Sequence, residues 1–348
     1  MHRPQRPRLT LGIAIAAVGL LAGGLLSACG DAGERGQTRR HVIVSGGQGG
    51  VYYPTAGAIA RLANLADPHL RLDVQTSGGS VSNARLLHNG DAHFALIQDD
   101  IAAYAREGTQ MFADSEPMPT IRGVAALYPE HIQIVARRRA EIESVADLAG
   151  KRVAIGDIGS GTEANAMQIL ESHGLSTDDL GRVERLGASE ARDYLQDGRL
   201  DAAFFTFAVG TAAIQDLAHQ TDIAFVPIEG EGRERLMSDY PFYHEAIIPR
   251  GAYRDDEDDE RATPARDVPT VSVTATLVAR DDVPQESVQG VLRGIFENLD
   301  SFRATHHRLR DVNRADAAAN LTLPMHGGAE AFYAGDAQDA ENGEDAER

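Results

Sequence analysis

His41-Val42-Ile43-Val44-Ser45-Gly46-Gly47-Gln48-Gly49-Gly50-Val51-Tyr52-Tyr53-Pro54 has a second version further along the chain. That version is Lys151-Arg152-Val153-Ala154-Ile155-Gly156-Asp157-Ile158-Gly159-Ser160-Gly161-Thr162. Each is a short apolar strand running into a glycine-rich loop. Apolar residues at helical spacing follow, over 55–65 in the first case and 163–173 in the second, where Gly174 supplies the stop. The echo continues downstream of each unit. Residues 84–89 end a helix at Gly90, residues 92–97 form an apolar strand, and Gln98-Asp99-Asp100 is the loop after it. Residues 190–197 end at Gly198, residues 200–205 form an apolar strand, and Thr206-Phe207 follows.

Strands alternating with helices predict an α/β protein with mainly parallel sheets covered on both faces. Two matched units predict two similar lobes with a cleft and a hinge between them. In open α/β sheets ligands sit beyond the carboxyl ends of the strands, where all four loops lie. Glycine lets the backbone come close to a ligand. The helix behind each loop offers free N–H groups and the positive end of its dipole, which suits an anion. One such loop alone is an ordinary strand-to-helix turn; two matched loops flanked by polar ones predict a binding cleft.

The chain has 348 residues, a hydrophobic content of 43% and a net charge of −19. That apolar content supports a folded core, and the negative surface repels nucleic acid phosphates, so a DNA or RNA partner is not expected. Lys151 is the sole lysine, which fits either a salt-loving host or a codon bias toward arginine. Arg3, Arg6 and Arg8 precede an apolar run that closes on Leu26-Ser27-Ala28-Cys29, the layout of a secretory signal peptide over residues 1–28. The run is too short for a comfortable membrane helix, although an uncleaved anchor is the alternative. Loss of the three arginines takes the net charge from −19 to −22. Cys29 is the only cysteine, which excludes an intrachain disulfide and a cysteine-type zinc site. The Leu-Ser-Ala-Cys ending resembles the bacterial lipobox, which implies lipidation of Cys29. The acidic residues 255–260 read as a solvated loop, and residues 335–348 as an acidic, disordered tail.

At Gly46-Gly47-Gln48-Gly49-Gly50-Val51-Tyr52-Tyr53-Pro54, Thr76-Ser77-Gly78-Gly79-Ser80-Val81-Ser82-Asn83 and Ala95-Leu96-Ile97-Gln98-Asp99-Asp100, the chain resembles a known family. Leu127-Tyr128-Pro129-Glu130, Asp147-Leu148-Ala149-Gly150-Lys151-Arg152-Val153 and Gly159-Ser160-Gly161-Thr162 continue the likeness over residues 42–302. It is the TAXI family, solute receptors of tripartite ATP-independent periplasmic (TRAP) transporters. The resemblance implies a type II periplasmic-binding-protein fold, an extracytoplasmic location, TRAP permease subunits as partners, no cofactor, and a small carboxylate ligand such as glutamate or 2-oxoglutarate. By the same resemblance the backbone near Gly49, Gly50 and Val51, with Tyr52 or Tyr53, holds one end of the ligand. Thr76, Ser80 and Asn83 line the next loop and Gln98 the third. Ser160, Gly161 and Thr162 take a carboxylate from the second lobe. Phe205 and Phe207 pack on the carbon skeleton, and Asp99 pairs with an amino group. The plain alternatives are helix-start packing for the two tyrosines and a loop hydrogen bond for Gln98. Two departures stand out. The family tends to show Gly-x-Pro where this chain reads Thr206-Phe207-Ala208-Val209-Gly210, and the stretch at Asp255 looks like an insertion.

Residues 132–136 and 271–278 are expected as the strands crossing between lobes. Lobe one is then 41–139 plus 267–334, closed by a terminal helix over 283–302, and lobe two is 140–266. Rival functions are weaker. Gly159-Ser160-Gly161-Thr162-Glu163-Ala164 fits a loose dinucleotide loop with Glu184 at the ribose distance, but a lone match of this form is weak. Ser160 lacks the flanking glycines of a nucleophile elbow, since Ile158 and Thr162 stand there. His306-His307 reads as a solvated helix face, and there is no HExxH metal motif. A receptor feeding a sensor kinase is the closer alternative.

Overall fold

The computed structural model describes residues 38–254 and 262–335. The signal segment, Cys29, the acidic run from Asp255 and the tail beyond residue 335 therefore lie outside the described residues.

The chain opens with β1 (Arg39–Val44), α1 (Tyr52–Ala66), β2 (Leu70–Gln75), α2 (Ser80–Asn89), β3 (Phe94–Gln98) and α3 (Asp99–Glu107). The long strand β4 (Ile121–Arg137) leads into β5 (Arg152–Ala154), α4 (Gly161–Ser172), β6 (Arg182–Glu184), α5 (Ala188–Gln196) and β7 (Ala202–Phe207). Next come α6 (Ala212–Gln220), β8 (Ile223–Val226), α7 (Gly230–Asp239), β9 (His244–Ile248) and the second long strand, β10 (Val268–Arg280). Then come α8 (Gln285–Phe296), α9 (Leu299–Arg303) and α10 (Arg314–Ala319), and residues 327–335 at the end of the described part are again helical.

The strands form one ten-stranded sheet in the order β2-β1-β3-β10-β4-β7-β5-β6, with β8 against β4 and β9 against β10. The echoed units are parallel, as their crossover helices require: β1 pairs with β2 and β3, and β5 with β6 and β7. The expectation of a mainly parallel sheet fails at the centre. Every pairing of β4 or β10 with another strand is antiparallel, so the sheet is mixed. The reason is connectivity: these strands carry the chain from one half of the sheet to the other and back, in opposite directions. Each changes partners midway. The first part of β4 pairs with β10, while residues 131–136 pair with β7. Residues 275–279 of β10 pair with β3, and residues 268–272 pair with β9.

Both faces of each half are covered. Along β3, Phe94 and Leu96 join one core with Ile59, Leu62 and Leu292, while Ala95 and Ile97 join another with Leu87, Ile101 and Phe112. Along β7, Ala202 and Phe204 pack with Ile169, Leu170 and Leu236, while Ala203 and Phe205 pack with Leu195, Ile214 and Leu217. Side chains two apart share a face, so a strand buried on both sides reads as the unbroken apolar runs seen in the sequence. The glycine stops also form: Gly90, Gly174 and Gly198 have φ of 84°, 78° and 74°. Helix α8 lies against α1, and a Cβ at Gly294 would stand 2.6 Å from the Ala63 nitrogen, so only glycine permits this approach. The expected terminal helix is interrupted, since Glu297 caps α8 and Asn298 precedes α9. His306 and His307 are not on a helix face. They sit at a 3-10 turn, where His307 bonds the Val209 carbonyl at 2.8 Å.

Candidate ligand-binding cleft

Four helices begin around one hollow. Glycine-rich turns precede α1 and α2 in the first half of the sheet and α4 in the second, a turn with the single Gly187 precedes α5, and residues from all four turns line the space. The first N–H groups of a helix have no intrahelical acceptor. At α1, α2 and α5 no side chain caps them: Val51, Gly79 and Gly187 hold the N-cap positions and make no side-chain hydrogen bond. At α4 the Ser160 hydroxyl accepts the Glu163 N–H at 3.1 Å, which leaves the hydroxyl hydrogen free to donate. Neither α1 nor α2 carries an acid in its first turn. Pro54 fits within the first turn of α1, because its missing N–H is not needed there.

The hollow holds about 710 Å³ of non-atom space, part of it open to solvent. Gly49 and Ser160, from the two echoed loops, face into this same space. Its walls include Gly50, Val51 and Tyr52 on one side and Gly161, Thr162, Phe205 and Phe207 on the other. No arginine, lysine or histidine is among the lining residues. An anion here is met by backbone N–H groups and helix dipoles, with the Ser160 hydroxyl.

The floor is acidic. Glu130 is buried and lines the hollow, and its Oε2 accepts the Tyr52 hydroxyl hydrogen at 2.7 Å. Burial raises the Glu130 carboxyl to about 8, with smaller pushes in the same direction from Asp100 and Asp99. Asp100 behind it is likewise raised to about 8 by burial and by the charge of Asp99, and burial raises Asp99 to about 6.

Of the residues expected at the site, Gly49, Gly50, Val51, Tyr52, Ser80, Gln98, Ser160, Gly161, Thr162, Phe205 and Phe207 line the hollow. Four do not. Tyr53 is 38% exposed, because α1 turns that side chain off the lining face occupied by Tyr52. Thr76 is exposed at the end of β2. Asn83 is buried and donates to the Ser45 and Leu96 carbonyls at 2.6 and 2.7 Å, tying the loop after β1 to strand β3. Asp99 does not line the cleft either. Its Oδ1 accepts the Thr274 and Asp100 N–H groups at 2.9 and 3.0 Å, which secures the start of α3 to β10. The residues that sequence reasoning missed include Glu130, Asp157 and the turn Leu186-Gly187-Ala188. Glu130 belongs to the Leu127-Tyr128-Pro129-Glu130 motif, but a strand residue gives no sign of the cavity it will face. The turn before α5 has a single glycine and no echo.

The two halves meet at the rim. The Ser82 N–H donates to the Gly159 carbonyl at 3.0 Å, and a Cβ at Gly50 would touch Phe207 at 3.3 Å. Beneath the floor, Asn165 of α4 accepts from Gln98 at 2.7 Å and from the Thr206 hydroxyl at 3.1 Å. The same amide donates to Asp100 at 3.1 Å and to the Tyr243 hydroxyl at 2.8 Å. Gly161 is needed for more than its N–H: any side chain there would overlap the Gln98 amide.

The model of the NMT1-like family matches residues 43–335. Among solved structures, MatC from Rhodopseudomonas palustris with bound malate is 14% identical, at a TM-score of 0.50 over 78% of this chain and 88% of that one. The alkanesulfonate-binding protein SsuA from Xanthomonas axonopodis pv. citri, bound to MOPS, is 14% identical over 86% of this chain and 84% of that one, at 0.44. The GluR0 ligand-binding core from Nostoc punctiforme, in complex with L-glutamate, is 12% identical over 78% of this chain and 100% of that one, at 0.45. The architecture is that of the type II periplasmic binding proteins.

Proposed function

We propose, from the premise that this chain belongs to the NMT1-like family, that it is an extracytoplasmic solute-binding receptor that takes a small carboxylate into the cleft and hands it to a membrane permease. The observation that carries this reading is the convergence of four helix starts, from both halves of the sheet, on one hollow with no cationic side chain in its wall. Charge-assisted hydrogen bonds contribute about 1.5–3 kcal/mol each, so a few of them supply the roughly 8 kcal/mol of micromolar binding after immobilisation costs. Phe205 and Phe207, with ring centroids 6.1 Å apart, offer an apolar wall for a short carbon skeleton. The malate held by MatC is a ligand of this chemistry.

The finer reading rests on the resemblance of the loop motifs to the TAXI receptors. The permease is of TRAP type, the solute is a dicarboxylate such as 2-oxoglutarate or glutamate, and Cys29 carries the lipid that holds the receptor at the membrane. The lobes are residues 41–139 with 267–334, and 140–266, closing over the solute by bending where β4 and β10 exchange partners. The protein acts by binding and performs no turnover. The direct test is to denature freshly purified protein and identify the released solute by mass spectrometry. A thermal shift with 2-oxoglutarate, malate or glutamate and no chemical change in the solute supports the reading, because a bound ligand stabilises the folded state by mass action. Turnover of any of them overturns it.

A further inference from the structure

We propose that Glu130 stands in the cleft as a carboxylic acid that donates a hydrogen bond to the bound solute, so that capture of the anion is linked to a proton and favours solutes presenting a carboxyl, carbonyl or hydroxyl oxygen over an ammonium. The inference rests on the receptor reading above and specifies the solute class of that same cleft.

The geometry comes first. Glu130 is 2% exposed and its side chain reaches the wall of the hollow from the middle of β4. The Tyr52 hydroxyl donates to Oε2, which leaves Oε1 as the oxygen to carry a proton. The groups facing Glu130 do nothing to hold it ionised apart from that one hydrogen bond. From α1 comes the neutral phenol of Tyr52, and along β4 come Tyr128 and His131, whose imidazole is driven down to about 4 by burial and is therefore uncharged. From α3 come Asp99 and Asp100, both of which oppose a second negative charge. Across β10 the register partner is Val273, and Asp157 is the other acid in the wall. Among the groups that act on Glu130 there is no cation. A buried carboxylate with no cation beside it keeps its proton instead.

That protonation state suits the rest of the cleft. The helix starts supply N–H donors for one carboxylate of the solute, and a neutral acid on the floor supplies an O–H donor for an oxygen at the other end. An ionised Glu130 would repel such a solute. Binding of a dicarboxylate then draws a proton onto Glu130 wherever the empty protein has begun to lose it.

The test uses the purified full chain freed of endogenous solute. It is titrated calorimetrically with 2-oxoglutarate, L-malate and L-glutamate from pH 6.5 to 9.5, in buffers of different ionisation enthalpy. The expected result is binding of 2-oxoglutarate or malate with proton uptake approaching one at the alkaline end. Affinity should fall toward tenfold per pH unit above about 8. Glu130→Gln keeps a neutral donor and should bind the same solute without that fall. If the variant does not fold, proton uptake by the wild type decides alone. Dicarboxylate binding with no proton uptake and flat affinity overturns the proposal and leaves the receptor intact. So does tighter glutamate binding with proton release, which would place an ammonium on an ionised Glu130. Failure of all three solutes to bind overturns the carboxylate receptor itself, and this proposal with it.

Discussion

Gly161→Ala isolates one close approach on which the cleft depends. Glycine is required at this position because Gln98, from the other half of the sheet, lies across the backbone of the first turn of α4. An added methyl would overlap the Gln98 amide oxygen and stand 3.1 Å from its nitrogen. Gln98 is 2% exposed and its nitrogen donates to Asn165 at 2.7 Å, so it cannot yield without breaking that bond. Overpacking costs about 1–3 kcal/mol, and a buried amide left without its partner about 1–3 kcal/mol. Alanine in place of glycine within a helix returns up to about 1 kcal/mol. The expected net loss is roughly 1–5 kcal/mol, read as a lower denaturant midpoint with an unchanged slope. The double-mutant cycle identifies the cause. In a Gln98→Ala background the collision partner is gone, and Gly161→Ala should become nearly neutral. If the alanine costs as much with Gln98 removed as with it present, the reasoning about this contact is refuted.

Stability against pH gives a second check. Glu130 is raised from 4.5 to about 8 in the folded protein. The folded state therefore keeps a proton that the unfolded chain releases, and stability is lost as pH rises from about 4.5 through 8. Glu130→Gln escapes this loss. By thermal melting it should match the wild type at pH 4 and exceed it by roughly 4 kcal/mol near pH 8, at about 1.4 kcal/mol per pH unit between the unfolded and folded values; a constant difference across that range would contradict the assignment. Ser160→Asp retains an N-cap acceptor for the Glu163 N–H, so folding should hold while 2-oxoglutarate affinity drops at least tenfold. Unchanged affinity would move the anion elsewhere. Asn83→Ala removes a donor from the Leu96 carbonyl and one of two from the Ser45 carbonyl, which Ser77 still serves, so it should cost about 1–3 kcal/mol of stability and leave affinity in the folded fraction unaltered; weaker binding by folded protein would return Asn83 to the site.

The repeated order of strand, glycine loop and helix was legible without coordinates, because local rules govern it. Side-chain period separates strands from helices, and Gly90, Gly174 and Gly198 stop helices through a left-handed backbone that other residues avoid. The loops at Gly49 and Ser160 could be named as partners for the same reason: each is the start of a helix, and a helix start is an anion site wherever it lies. That they share one hollow depends on β4 and β10, and the antiparallel course of those two strands is set by how the chain crosses the sheet, which no local pattern encodes. Tertiary structure also divided neighbours with equal claims. Tyr52 and Tyr53 are adjacent, yet the step of about 100° between successive helix residues sends the first to Glu130 and leaves the second 38% exposed. Asp99 and Glu130 are both acids at strand ends or middles. One is consumed by the backbone of Thr274 and Asp100, and the other reaches the cavity. Which acid meets the solute is a matter of long-range packing, and burial in that packing is also what raises the Glu130 carboxyl so far above its ordinary range.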